Sequence, residues 1–179
     1  MNYQETVEYL YKQTPAYQRV GGAAYKPGLD NSLALDAYFE YPHRHYRTIH
    51  IAGTNGKGST SHFLAAVLHQ AGYKVGLYTS PHLIDFRERI RVDGEMIDKQ
   101  FVIDFVKNHR ATFEPIEPSF FELTMEMAFL YFRQMEVDVA IIETGLGGRL
   151  DSTNIISPNL SVITNIGFDH MQYLGYTLP

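Results

Sequence analysis

Apolar residues fall into two kinds of pattern along the chain. In Tyr3–Gln13, Val7, Leu10 and Tyr11 recur at helical spacing. In DNSLALDAYFEYP, Leu33, Leu35, Tyr38 and Phe39 do so again, with Asn31 or Ser32 as the expected N-cap. Residues 1–46 therefore predict two helices, parted at AYKPGLD by a turn that its Pro-Gly pair marks. From residue 47 the pattern changes: RTIHIAG, KVGLYTS, VDVAIIET and LSVITNI are short apolar or β-branched runs separated by longer helical stretches at about 58–71, 98–112 and 119–135. That rhythm predicts an α/β fold of three layers, a mainly parallel sheet with crossover helices and the two N-terminal helices packed on it. The last helical stretch carries FFELTMEMAFLYF, whose Met and aromatic stripe reads as core. The chain stops at Pro179 just after a strand and a loop, so a fold of this class is expected to be incomplete there.

Composition narrows the classes of function. With 179 residues, 45% of them hydrophobic, one well-buried domain is expected over residues 1–179. Net charge is -5 and the 15 basic residues are scattered, so the footprint of a nucleic-acid binder is missing. The absence of cysteine removes disulfides, zinc-thiolate sites and cysteine nucleophiles together. MNYQETVEYLYKQ has no basic region followed by an apolar one, and no apolar stretch approaches the roughly 20 residues of a membrane span, so the expected location is the cytoplasm, with no membrane partner.

Chemistry concentrates in IHIAGTNGKGST. Strand, glycine-rich loop, helix: this order places backbone N–H groups and a helix N-terminus around an anion, and Lys57 adds charge. Gly53, Gly56 and Gly58 would let the backbone curl around phosphate oxygens, in a loop completed by Thr54, Asn55 and Ser59. The bland alternative is a tight strand-to-helix turn in which the glycines only relieve crowding. The usual nucleotide-binding pattern is not fully met, since Ile51 stands at its first glycine and Gly58 follows the lysine where a hydroxyl normally holds magnesium. Ser59, Thr60 and Ser80, the last at the end of KVGLYTS, are candidates for that missing oxygen. Glu143 closes the run VDVAIIE, which would deliver a carboxylate to the same sheet edge, and TGLGGRLDSTN follows it with three glycines, Arg149 and Asp151. His170 in GFDH stands just past the next strand, and His82 follows KVGLYTSP; the other histidines, His43, His45, His50, His62, His69 and His109, read as local hydrogen-bonding groups. Imidazole is an unusual ligand for magnesium, which prefers oxygen.

Taken in order, HIAGTNGKGST, LYTSPHLIDFRERI, IIETGLGGRLDSTN and NIGFDH resemble the folylpolyglutamate synthase and dihydrofolate synthase family, relatives of the Mur ligases. The resemblance implies ATP-dependent amide ligation: a folate or dihydropteroate carboxylate takes the γ-phosphoryl group of ATP, and the amine of glutamate displaces phosphate. It implies a phosphate loop from Gly53 to Ser59, Ser80 and Glu143 as ligands of a first Mg2+, His170 as a ligand of a second, and Lys57, Glu143 and His170 as the catalytic set. It places the folate pocket at KPGLD, at the SPHLIDFRERI loop with Pro81 and His82, at Phe120, Phe121 and Glu122, and at Leu150, Asp151 and Ser152. It further implies a C-terminal domain beyond this chain, a monomer when full length, and an isolated fragment without turnover. Two other classes stay open, a non-catalytic nucleotide-binding module and an NTP hydrolase with a self-contained site.

Overall fold

In the computed structural model, which describes residues 1–13 and 28–177, the apolar runs become strands. Among the described residues there are six: β1 (Arg47–Ala52), β2 (Val75–Tyr78), β3 (Ile90–Val92), β4 (Glu95–Met96), β5 (Val139–Glu143) and β6 (Leu160–Ile163). Their order is β4-β3-β2-β5-β1-β6, with β2, β5, β1 and β6 mutually parallel and β3 and β4 antiparallel additions at one side. The β3–β4 hairpin was not expected from the apolar runs. It turns on Asp93-Gly94, both at positive φ (51° and 86°), the residue pair that a two-residue hairpin favours.

The α-helices among the described residues are α1 (Tyr3–Gln13), α2 (Asp30–Tyr38), α3 (Lys57–Gln70), α4 (Lys99–Phe113), α5 (Phe120–Gln134) and the short α6 (Met171–Leu174). The start of α5 is fixed by a capping box, Ser119 accepting from the Glu122 amide while the Glu122 carboxylate accepts from the Ser119 amide. The start of α2 departs from expectation. It begins at Asp30 after Leu29, with no side-chain cap, so Asn31 and Ser32 lie inside the helix. The Ser32 hydroxyl is fully buried and instead points across to Glu122 Oε1 at 3.5 Å.

The alternation of side chains along the strands divides the core in two. Ile51, Val75, Leu77, Val139 and Ile141 pack on one face against Leu64, Ala65 and Leu68 of α3. Tyr78, Ala140 and Ile142 face the other way, into a larger cluster with Phe105, Phe129, Phe132 and the rest of the α5 stripe, which is core as expected. Close packing there explains Gly76: a Cβ on it would stand 2.8 Å from the Phe132 ring. Because Glu143 lies two residues beyond Ile141, the same period sets its carboxylate on the α3 face, at the edge where the parallel strands end. Among the described residues no helix is long and apolar enough to cross a membrane.

Candidate functional site

Between the last residue of β1 and the first of α3 the chain turns through Gly53–Gly56. Gly56 has φ +82° and serves as the N-cap residue of α3, with no side-chain hydrogen bond to the helix amides. The amides of the first helical turn are thus left for an anion, and the positive end of the helix dipole lies with them. Lys57 keeps its ammonium inside the loop, donating to the carbonyls of Gly53 (2.8 Å) and Thr54 (3.4 Å). The Thr54 and Asn55 amides are directed elsewhere, to the backbone oxygen and Oδ1 of Asn165 at 3.0 and 2.9 Å.

Ser80 and Glu143 meet beside this loop. The Ser80 amide donates to Glu143 Oε2 at 2.9 Å, and a Cβ on Gly58 would lie 3.8 Å from Oε1, so strand ends and loop share one edge of the sheet. Glu143 is buried, and burial pushes its carboxyl pKa above the ordinary value, against the Ser80 amide and the charges of Lys57 and Arg89, which pull it down. Among the described residues Oε1 accepts no hydrogen bond. A buried carboxylate with one open oxygen beside an uncapped helix start fits a hard cation shared with phosphate oxygens, the usual way magnesium is held. His170 lines the same cavity from the N-cap of α6, at φ +46°, its Nε2 3.8 Å from Asp169 Oδ2. Among the described residues no three His, Cys, Asp or Glu side chains converge as a metal-binding group. An ion here would therefore draw on Ser80, Glu143 and the phosphates.

The cavity, about 700 Å³, runs from Lys57 and Ser80 past Phe121 to the glycine loop after β5 and to α6. Phe120 and Phe121 divide their labour. Phe120 is 4% exposed; Tyr11 stacks on its ring at 4.8 Å and 10°, and the Arg89 guanidinium lies 5.2 Å from its centroid, so protein groups occupy its neighbourhood. Phe121, half-buried, lies against Gly145, where a Cβ would be 2.8 Å from its ring. Both line the cavity, and of the two Phe121 presents the more open ring. His82 works behind that wall: its Nδ1 accepts from Arg89 Nε (2.7 Å), so the neutral ring carries its proton on Nε2, aimed at Tyr11 Oη (2.8 Å). Burial and the neighbouring Arg89 charge lower the His82 pKa. Glu122 is tied up in the α5 capping box, while Pro81, Leu150 and Ser152 line the cavity. Of KPGLD, Lys26 and Pro27 lie outside the described residues.

Asp151 is saturated by its own loop. Its Oδ2 accepts from the Gly145 and Leu146 amides at 2.8 and 2.7 Å, and Oδ1 accepts from the Thr153 amide (3.0 Å) and hydroxyl (2.5 Å). Since the Thr153 hydroxyl spends its proton on Asp151, His50 must donate from Nε2 to Thr153 Oγ1, 2.7 Å away. Burial pushes the His50 pKa down to about 4 from 6.5. Between those values the unfolded chain binds a proton that the folded chain refuses. Stability present above pH 6.5 is therefore lost as pH falls towards 4, by up to about 3 kcal/mol from this residue. In urea titrations at pH 7 and pH 4, His50→Gln is expected to lose less stability than wild type by about that amount; equal losses would contradict it.

Thr164, Asn165, Arg89 and Thr153 were not anticipated as site residues. Their partners lie up to 112 residues away in sequence; Thr164 and Asn165 sit just beyond a strand, and Arg89 and Thr153 fall inside the loops SPHLIDFRERI and TGLGGRLDSTN without a signal of their own.

The stretch that builds this geometry is shared with known proteins. Residues 51–177 match the Mur ligase middle domain. The dihydrofolate synthase/folylpolyglutamate synthase of Bacillus subtilis (strain 168) is 47% identical over 160 residues, covering 86% of this chain and 37% of its own length. The folylpolyglutamate synthase of Lacticaseibacillus casei is 40% identical over 185 residues, covering 99% of this chain and 42% of its own. A solved FPGS–AMPPCP–folate complex superposes with a TM-score of 0.89 at 40% identity, over 99% of this chain and 43% of that one. The chain thus spans about two fifths of these relatives (37% and 42%). With the middle-domain match running from the end of β1 through Lys57, Ser80, Glu143 and His170, the chain belongs to the Mur ligase family.

Proposed function

We propose that this chain is the nucleotide- and folate-binding part of an ATP-dependent ligase that adds L-glutamate to tetrahydrofolate. The observation that carries the reading is the meeting, at one sheet edge, of an uncapped helix start bearing Lys57 with the buried Glu143 carboxylate and its half-buried partner Ser80, opening onto a cavity lined by Phe121. A carboxylate is a poor electrophile until one of its oxygens becomes a leaving group. In this reaction the folate carboxylate oxygen attacks the γ-phosphorus and ADP departs; the amine of glutamate then attacks the acyl carbon and phosphate departs. The α3 amides and Lys57 hold the phosphates and neutralise charge as the phosphoryl group moves. Magnesium, held by Ser80 and Glu143 with a second ion at His170, would supply further charge neutralisation at the phosphate oxygens.

Edge strand β6 leaves Leu160 and Ile163 50% and 64% exposed, which suits a domain that continues past it, as in relatives more than twice as long. The isolated chain is accordingly expected to bind nucleotide without turnover, because the groups that place glutamate are not brought to the reacting carboxylate. The B. subtilis relative carries both synthase names, so dihydropteroate is the second substrate to try. In the full-length protein, ADP formation should require both a folate and glutamate. ADP release indifferent to both would identify an NTP hydrolase, and nucleotide binding with no turnover under any pairing a binding module. Glu143→Gln is expected to raise the magnesium concentration needed for half-maximal activity by about tenfold. An unchanged magnesium titration would remove Glu143 from the metal site.

A further inference from the structure

The segment that leaves β6 is laced to the phosphate loop from both sides. Its Thr164 amide donates to Ala52 O (2.9 Å), and its Thr164 hydroxyl donates to Asn55 O (2.7 Å), with Ala52 O as a more distant second acceptor (3.3 Å). Asn165 accepts from the Thr54 amide through its backbone oxygen (3.0 Å) and from the Asn55 amide through Oδ1 (2.9 Å). Thr54 closes the pattern, its hydroxyl accepting from the Gly167 amide (2.9 Å) and donating to the Gly167 oxygen (3.2 Å). The contact is so close that a Cβ on Gly53 would stand 2.1 Å from Thr164 Oγ1, which gives this glycine a requirement separate from phosphate binding.

These bonds divide the loop into two halves. In the first, the Thr54 and Asn55 amides and the Asn55 carbonyl are engaged with residues 164 and 165. In the second, the amides at the start of α3 remain available, and Lys57 is held by the Gly53 and Thr54 carbonyls, whose direction the first half sets. A backbone that must order itself when an anion arrives gives up affinity to conformational entropy; one already shaped does not.

We infer that Thr164 and Asn165 are positioning residues for the nucleotide: acting through Thr54 and Asn55, they hold the phosphate loop in its receiving shape and fix it to the segment that carries His170. The inference rests on the reading of that loop as a nucleotide site. It also assigns a task to Thr164 and Asn165, which read from the sequence as a strand end and the opening of NIGFDH.

Thr164→Val keeps the side-chain shape and removes the hydroxyl, Asn165→Ala removes Oδ1, and Thr164→Ser retains the hydroxyl. In the 179-residue chain, hydrogen exchange read by NMR is expected to quicken at the Thr54 and Asn55 amides in the first two variants. A fluorescent ATP analogue with magnesium should bind both about tenfold more weakly. Thr164→Ser should match wild type in both measurements. In the full-length enzyme the same two substitutions should raise KM for ATP and leave KM for folate unmoved, a split that general loosening of the fold would not produce. Wild-type protection and affinity in Thr164→Val, or a Thr164→Ser variant as weak as Thr164→Val, would overturn the inference. Should the wild-type chain bind no ATP analogue while exchange still responds to the substitutions, the nucleotide reading and the positioning role both fall. Should wild type bind and the variants bind equally well, only the positioning role falls.

Discussion

Lys57→Ala in the full-length protein is expected to cut turnover by about 10³-fold or more, with thermal unfolding little changed. The size follows from where the ammonium sits. It is partly buried at the start of α3, bonded to two carbonyls of its own loop, so it is already within the anion site and needs no recruitment. Alanine removes a full charge from the place where the transferring phosphoryl group would develop negative charge, in surroundings that screen it less than water does. It also removes one of the influences that favour the ionised form of Glu143, whose carboxyl burial already disfavours. Both losses act on the same step. The fold has less at stake, because the loop's contacts with residues 164–167 do not pass through the lysine side chain. ADP formation at saturating ATP, folate and glutamate is the measurement, and near-normal turnover would overturn the assignment of this loop to phosphoryl transfer.

What could be read along the chain was whatever local pattern determines. The strands β1, β2, β5 and β6 are apolar runs long enough to stand out, and the helices that cross between them keep their period over several turns. Strand β3, with three residues, is too short to show a period, and Asp93-Gly94 was the better signal for it. The expected cap at Asn31 or Ser32 is not found; at Ser32 a distant residue, Glu122, engages the hydroxyl instead, so a local preference gives way to tertiary contact.

The same distinction runs through the site. Glu143 and Ser80 could be placed at one sheet edge because parallel strands joined by crossover helices end together, but the bond between them spans 63 residues and only the fold supplies it. Adjacent residues on a helix point about 100° apart, so sequence could name Phe120 and Phe121 as a pair without telling which of the two cavity-lining rings is the more open. Burial separates them: Phe120 packs with Tyr11 and Arg89, and Phe121 lies over Gly145. Asp151 and His82 carry the marks of substrate contacts in sequence, polar groups in loops beside the ligand. In the structure their polar atoms are occupied by Gly145, Leu146 and Thr153 in one case and by Arg89 and Tyr11 in the other, so both hold walls in place.

Gly145→Ala is the substitution expected to separate the folate side of the cavity from the nucleotide side. Gly145 does not have a positive φ, so an alanine there meets no backbone penalty and acts through space alone. Its methyl would stand 2.8 Å from Cε2 and Cζ of Phe121 and 3.3 Å from Asp151 Oδ2. The ring is also packed against Tyr78, fully buried, with centroids 5.8 Å apart, so it has little freedom to give. Either Phe121 swings into the cavity or the glycine loop lifts away, and lifting strains the bonds from the Gly145 and Leu146 amides to a buried carboxylate. Overpacking of this kind costs about 1–3 kcal/mol, which corresponds to a rise of about 5- to 150-fold in KM for folate if Phe121 is the ring that receives it. KM for ATP and the magnesium requirement should stay where they are, since the methyl's nearest neighbours are Phe121 and Asp151 rather than Lys57, Ser80 or Glu143. In a Phe121→Ala background the same substitution should add little, because the ring it displaces is gone. An unchanged KM for folate in Gly145→Ala would take Phe121 out of the substrate site, whereas equal increases for ATP and folate would show that the loop, rather than the ring, had moved.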